Sequence, residues 1–164
     1  MSQYLLPEWH PQDAVQLTWP TAESDWAPLL ERIEATLESM VAAITRYQKV
    51  LVTVPDSTTR QRLESLFKRL GIPADRCLLV EAPSDDSWAR DHGPIGVERD
   101  GKIVLLDYRF TGWGGKFPAE RDNALTTRLR GAGSFAAAVE TSQLVLEGGA
   151  IETGGQGTLL TTEA

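Results

Sequence analysis

The sequence is short of the residues that build metal sites and disulfide frameworks. It has one cysteine (Cys77), two histidines and two methionines in 164 residues. A single thiol cannot close an internal disulfide and excludes a multi-cysteine zinc site. His10 and His92 are too few and too scattered for a histidine-rich metal site, and no His-Glu-x-x-His spacing occurs. Basic residues are outnumbered: 16 Lys and Arg against 23 Asp and Glu leave a net charge of −7. Nucleic acids and anionic membranes select clustered Lys and Arg, so neither is an expected partner, whereas a cationic ligand suits this balance. No run approaches the roughly 18 uninterrupted apolar residues of a membrane span. The opening Met1-Ser2-Gln3-Tyr4-Leu5-Leu6-Pro7-Glu8 has neither the basic nor the apolar region of a signal peptide. A cytoplasmic location is expected, and homo-oligomeric assembly stays open.

What is present reads as one folded domain, with 41% hydrophobic and 24% charged residues. Ala14 to Trp19 alternates as a strand does and is closed by Pro20. A helix follows from Ala27 or Pro28 to Arg46, its apolar stripe made by Leu29, Ile33, Leu37, Met40, Val41 and Ile44. Lys49 to Val54 is a strand of the buried type. Asp56 or Ser57 caps a second helix carrying Leu63, Leu66, Phe67 and Leu70, which Gly71 and Pro73 end. Cys77 to Val80 is a short strand. Ile95 to Glu98 and Ile103 to Phe110 pair across an Asp100-Gly101 turn, and a weakly amphipathic helix spans Pro118 to Arg130. Leu144 to Glu147 is a strand running into glycines. A last hairpin pairs Ala150 to Glu152 with Thr158 to Thr161. Strand, helix, strand and hairpin thus recur in blocks of roughly 70 residues, the signature of a structural repeat in an α/β protein. An end just after a strand, with open sheet edges, is expected of a truncated chain.

Three segments can carry chemistry. In Asp85-Asp86-Ser87-Trp88-Ala89-Arg90-Asp91-His92-Gly93-Pro94, three carboxylates share an irregular stretch with an arginine and a tryptophan. Two uses fit: a capped turn with Arg90 paired to a carboxylate, or a carboxylate and indole that together hold a guanidinium. A magnesium cluster of Asp85, Asp86 and Asp91 would lack a phosphate-binding partner. In Thr111-Gly112-Trp113-Gly114-Gly115-Lys116-Phe117, Phe110 and Phe117 stand where a phosphate loop needs Gly and Ser or Thr. The glycines then serve a tight turn that presents Trp113 over a pocket, or Trp113 is simply core. In Leu146-Glu147-Gly148-Gly149 a partly buried glutamate ends an apolar strand, a place where carboxylates are costly unless used. Cys77, between Arg76 and Leu78 in a strand, reads as a small buried hydrophobe.

Five stretches, in order and across nearly the whole chain, resemble agmatine deiminases and the bacterial-type peptidylarginine deiminases. They are Pro7-Glu8-Trp9-His10-Pro11-Gln12, Leu17-Thr18-Trp19-Pro20, Asp86 through Pro94, Phe110 through Phe117, and Leu146 through Glu152. The resemblance implies a partial five-bladed α/β propeller of pentein-type ββαβ repeats. About two blades would be present, residues 1–164 forming the N-terminal part of a single deiminase catalytic domain. It implies a cysteine-dependent hydrolysis of agmatine to N-carbamoylputrescine and ammonia, on the route to putrescine, without metal or organic cofactor. Asp91 and Glu147 are the implied catalytic carboxylates, and Trp88, Asp91, Trp113 and Glu147 the implied contacts to a small cationic guanidine. The family's histidine and nucleophilic cysteine are expected further along the chain, which leaves this polypeptide inactive alone. The rival readings are a non-catalytic pentein-like binding module, an amidinotransferase, and a deiminase of another guanidine such as peptidylarginine.

Overall fold

A computed structural model describes residues 3–162. In chain order its strands are β1 (Gln3–Leu5), β2 (Ala14–Thr18), β3 (Lys49–Val54), β4 (Cys77–Glu81), β5 (Ile95–Arg99), β6 (Lys102–Arg109), β7 (Ala138–Val145), β8 (Ile151–Thr153) and β9 (Leu159–Thr161). Three of its helices are α1 (Leu30–Ile44), α2 (Ser57–Arg69) and α3 (Ala89–His92). The backbone packs as two compact units. One is Gln12–Ala89; the other joins the described residues up to Pro11 with those from Arg90 onward.

In the unit Gln12–Ala89, β2, β3 and β4 lie side by side and parallel. Parallel strands are covered on both faces, so β3 is a nearly unbroken apolar run in which only Lys49 is exposed. Alternation sends Val50, Val52 and Val54 to one face, where they pack with Trp19, Val41, Leu63 and Phe67. Trp19 keeps its indole N–H satisfied by donating to Glu34 at 2.7 Å and meets Phe67 edge-on at 6.4 Å. The stripe of the first helix is narrower than its periodicity suggests. Leu37, Val41 and Ile44 reach the core, but Leu29 and Met40 are exposed. Leu29 belongs to a 3₁₀ turn, Ala27–Leu29, that precedes the α-helix, and Met40 points a quarter-turn away from Val41. Asp56 caps α2 by accepting the Thr59 N–H at 2.7 Å.

The other unit holds a mixed sheet in the order β1-β5-β6-β7. β5 is antiparallel to β1 and β6, while β6 and β7 are parallel. The β5–β6 turn places Asp100 at φ 49° and Gly101 at φ 77°, the left-handed pair that a two-residue hairpin requires. Joining parallel β6 and β7 needs a crossover. It contains two short helices, Glu120–Asn123 and Leu125–Gly131, rather than the single expected one. The break serves Asn123, whose side-chain amide accepts the Phe110 N–H at 2.9 Å and donates to the carbonyls of Phe110 and Ala119. The strand expected at Leu144 to Glu147 instead begins at Ala138 and ends at Val145. As an edge strand with mostly exposed residues it lacks the alternation that would have announced its start. The three-residue β1 is likewise silent in the sequence. β8 and β9 pair as expected. Among the described residues no helix is long and apolar enough to cross a membrane.

The α2 contacts set a stability order. Leu63→Ala removes a fully buried side chain and is expected to cost about 2–5 kcal/mol, whereas Asp56→Ala removes one exposed cap and costs about 1 kcal/mol. Urea denaturation midpoints of the two variants check the ranking.

Candidate functional site

The site is assembled by two short segments of the unit that holds the residues from Arg90 onward. The first is α3, which carries Arg90, Asp91 and His92. The second is the turn that follows Glu147, a 3₁₀ element Gly148–Ala150. They interlock through side chain and backbone. Asp91 Oδ1 accepts the Gly149 N–H at 3.1 Å. Arg90 Nε donates to the Gly148 carbonyl at 3.2 Å, and its Nη2 donates to the Ile151 carbonyl at 3.2 Å. The remaining charge of Arg90 faces Glu8 at 2.7 Å and Glu152 at 3.7 Å.

The two glycines are dictated by this closeness. A Cβ on residue 148 would lie 2.1 Å from the Arg90 carbonyl oxygen, and one on residue 149 would lie 2.3 Å from Asp91 Oδ1. The first contact is with backbone and cannot be relieved, so residue 148 must be glycine for the Glu147 turn to reach Arg90. The second is with the end of a side chain, so a Cβ on residue 149 would displace the Asp91 carboxylate from its bond to the Gly149 N–H. Glu147 is half-buried beside Asp91. Burial first, and then the Asp91 charge, raise the proton affinity of its carboxyl group above that of an ordinary glutamate. The backbone N–H of Trp113 donates to the Glu147 carboxylate and works in the opposite direction.

Trp113 reaches Glu147 through a left-handed turn. Gly112, Trp113, Gly114 and Gly115 have φ of 61°, 56°, 78° and 81°. That conformation costs an L-residue roughly 1–2 kcal/mol, which is why three of the four positions are glycine. Thr111 holds the turn, its carbonyl accepting the Gly115 N–H at 2.7 Å and its hydroxyl accepting the Gly114 N–H at 3.2 Å. The Trp113 ring is gripped edge-on by Phe110 at 5.0 Å and Phe117 at 5.7 Å. Trp113 is therefore neither plain core nor a free lid: its ring anchors the turn and its backbone serves the carboxylate.

Asp91, Trp113 and Glu147 are thus brought together. Trp88 lies in the other unit, half-exposed and 6.1 Å from Trp26, whose indole N–H donates to the Ser87 hydroxyl at 2.7 Å. Asp86 accepts the Ser87 N–H at 2.6 Å, as a turn residue does. Burial pushes the Cys77 thiol up to about 11, so it is protonated at neutral pH and a poor nucleophile. Among the described residues no three His, Cys, Asp or Glu side chains are grouped to hold a metal ion. Sequence reasoning missed the role of Arg90 as a backbone clamp. Its carboxylate partners, Glu8 and Glu152, both lie inside the stretches that carry the family resemblance, but no spacing links them.

The family model described as Porphyromonas-type peptidyl-arginine deiminase matches residues 4–164. The agmatine deiminase of Pseudomonas aeruginosa (strain LESB58) is 33% identical over 162 residues, which cover 95% of this chain and 42% of that protein. The solved structure of the C. jejuni agmatine deiminase with substrate bound superposes with a TM-score of 0.83 at 31% identity, covering 98% of this chain and 45% of its own. A Porphyromonas gingivalis structure with a provisional arginine deiminase name gives 0.80 at 41% identity, covering 98% and 47%. The chain spans less than half the length of each of these relatives.

His92, behind Asp91 in sequence, supplies a pH test. It is buried (4% exposed), its ring lies 6.3 Å from that of Phe110, and neither ring nitrogen has a hydrogen-bond partner among the described residues. Burial pushes it down to about 4, against 6.5 when unfolded. The folded state therefore binds fewer protons between those values, and stability declines as pH falls through them and is complete above. Roughly 2 kcal/mol should be lost between pH 7 and pH 5. Asp107, raised by burial, titrates in the opposite sense, so the measurement is a difference. Urea denaturation at the two pH values should show wild type losing about that much more than His92→Leu.

Proposed function

The chain belongs to the Porphyromonas-type peptidyl-arginine deiminase family, and we propose from that membership that it holds the guanidinium group of agmatine for cysteine-dependent deimination. The observation that carries this reading is the pairing of Asp91 with Glu147. Two like charges placed together raise each other's cost unless a cation comes between them. A guanidinium is planar, permanently charged and rich in donors, so it can bond both carboxylates at once. Trp113 contributes the N–H that orients Glu147. Trp88 keeps a proposed place in substrate binding on the strength of its motif, Trp88-Ala89-Arg90-Asp91.

In the proposed reaction a thiolate attacks the guanidinium carbon. Asp91 and Glu147 hold the nitrogens so that the carbon stays electrophilic and aligned. The C–N bond breaks as ammonia leaves with a proton from a histidine, and water then hydrolyses the amidino-thioether to a ureido group, N-carbamoylputrescine in the case of agmatine. That product lies on the way to putrescine. Cys77 is unsuited to the attack, so the proposal assigns the thiol and the histidine to the part of the relatives' length that these 164 residues do not span. Within the same proposal the two units are two blades of a five-bladed α/β propeller. A second guanidine, arginine free or in a peptide, is favoured by one observation: the structure with the provisional arginine deiminase name is 41% identical, more than the agmatine deiminases reported above. Side-by-side product assays on agmatine, arginine and a peptidyl arginine choose between them.

Two experiments test the reading. In the full-length protein Asp91→Asn should lower kcat/KM on agmatine more than a hundredfold, since breaking a buried charged pair costs about 3–5 kcal/mol. Asp86→Asn should cost far less, because Asp86 serves the Ser87 turn. A larger loss at Asp86 would put the wrong carboxylate at the guanidinium. The 164-residue chain alone should release no ammonia from agmatine; turnover abolished by Cys77→Ser would make Cys77 the nucleophile and overturn the proposal.

A further inference from the structure

We propose that Arg90 is a positioning residue: it sets the place of Glu147 relative to Asp91 by clamping the backbone on both sides of Gly149. This rests on the guanidinium-binding reading and adds to it a residue that does not touch substrate. Asp91 holds the Glu147 turn at one point, the Gly149 N–H. The turn is also tied at its start, by the Leu146 N–H to the Arg109 carbonyl at 3.2 Å and by the Trp113 N–H to Glu147, but neither bond fixes its angle against α3. Arg90 adds two more points, the carbonyls of Gly148 and Ile151, one residue before and two residues after that N–H. Three bonds from two adjacent residues, spread over four residues of turn, define an orientation rather than a tether. Arginine suits the task because its rigid fork presents Nε and Nη donors in fixed directions, which a lysine cannot.

The arrangement also answers a difficulty of the site. Arg90 is itself a guanidinium, one residue from Asp91, and would be the nearest competitor for carboxylates meant for a ligand. Its charge is instead directed to Glu8 at 2.7 Å and Glu152 at 3.7 Å, while its other donors are used by carbonyls. The two outer carboxylates thereby keep Arg90 in its structural place and leave Asp91 and Glu147 their negative charge.

The test is read by NMR on the isotope-labelled chain, with Arg90→Gln and Arg90→Lys. Hydrogen exchange at Gly149 should accelerate on the order of tenfold or more in Arg90→Gln, the loss expected from removing charge-assisted bonds, with β5–β6 amides unchanged. In a carboxyl titration the Glu147 signal should move down toward that of an ordinary glutamate as the turn leaves Asp91. Arg90→Lys, which keeps the charge without the fork, should fall between. Where Arg90→Gln also loosens the β5–β6 amides, the comparison is made on Arg90→Lys alone. A Glu147 titration and a Gly149 exchange rate unchanged from wild type would overturn the proposal. Agmatine binding to wild type and Asp91→Asn of the full-length protein tests the reading beneath it separately: equal affinities would sink guanidinium binding at Asp91, while the Arg90 result is read from signals that need no ligand.

Discussion

The candidate site depends on how closely one turn of backbone can approach one short helix. Residue 148 comes so near the Arg90 backbone that no side chain fits between them, and a Cβ on residue 149 would displace the Asp91 carboxylate. From that approach the rest follows. The Gly149 N–H can reach Asp91, the carbonyls of Gly148 and Ile151 can reach Arg90, and Glu147 is carried to the side of Asp91. A Cβ on residue 148 would push the turn off the Arg90 backbone and one on residue 149 would displace the Asp91 carboxylate, so two residues with no functional group of their own determine where the functional groups stand.

Electrostatics at the site is set by the same geometry. Glu147 is pulled in two directions, its proton held by burial and by Asp91 and released by the Trp113 N–H. The N–H is available because the chain from Gly112 to Gly115 winds left-handed, a conformation that glycine tolerates and that Trp113 is held in by Phe110 and Phe117. Aromatic packing at this turn thus stabilises a strained backbone, and the strained backbone in turn presents a donor to a carboxylate. A site of this kind needs little from the rest of the unit except that β6 and β7 end nearby at fixed positions.

Much of the fold could be read in advance where local chemistry is strong. The β3 run rich in valine, the Asp56 cap and the Asp100-Gly101 turn each announce themselves within a few residues, and each stands where its signal lies. The misreadings fall where the deciding contact is distant. β7 is an edge strand whose exposed residues carry no alternation, β1 is three residues long, and the crossover helix is split so that Asn123 can bond Phe110. The Leu29 and Met40 positions of the first helix follow the same rule, since only the phase of the helix against β3 tells which apolar residues it buries.

By itself the sequence determined the kinds of groups available: two carboxylates beside glycines and tryptophans, one thiol, no metal-ligand spacing, and motifs specific enough to assign the family. These are properties of neighbouring residues, and neighbours are visible in a string. Tertiary structure alone decided which groups meet. It joined Asp91 to the Gly148-Gly149 turn, chose Glu8 and Glu152 as the carboxylate partners of Arg90 and added a clamp on backbone carbonyls, and desolvated Cys77 enough to push its thiol up to about 11. Those outcomes depend on distances between segments remote in the chain, and on the desolvation that packing imposes, neither of which a residue's own identity contains.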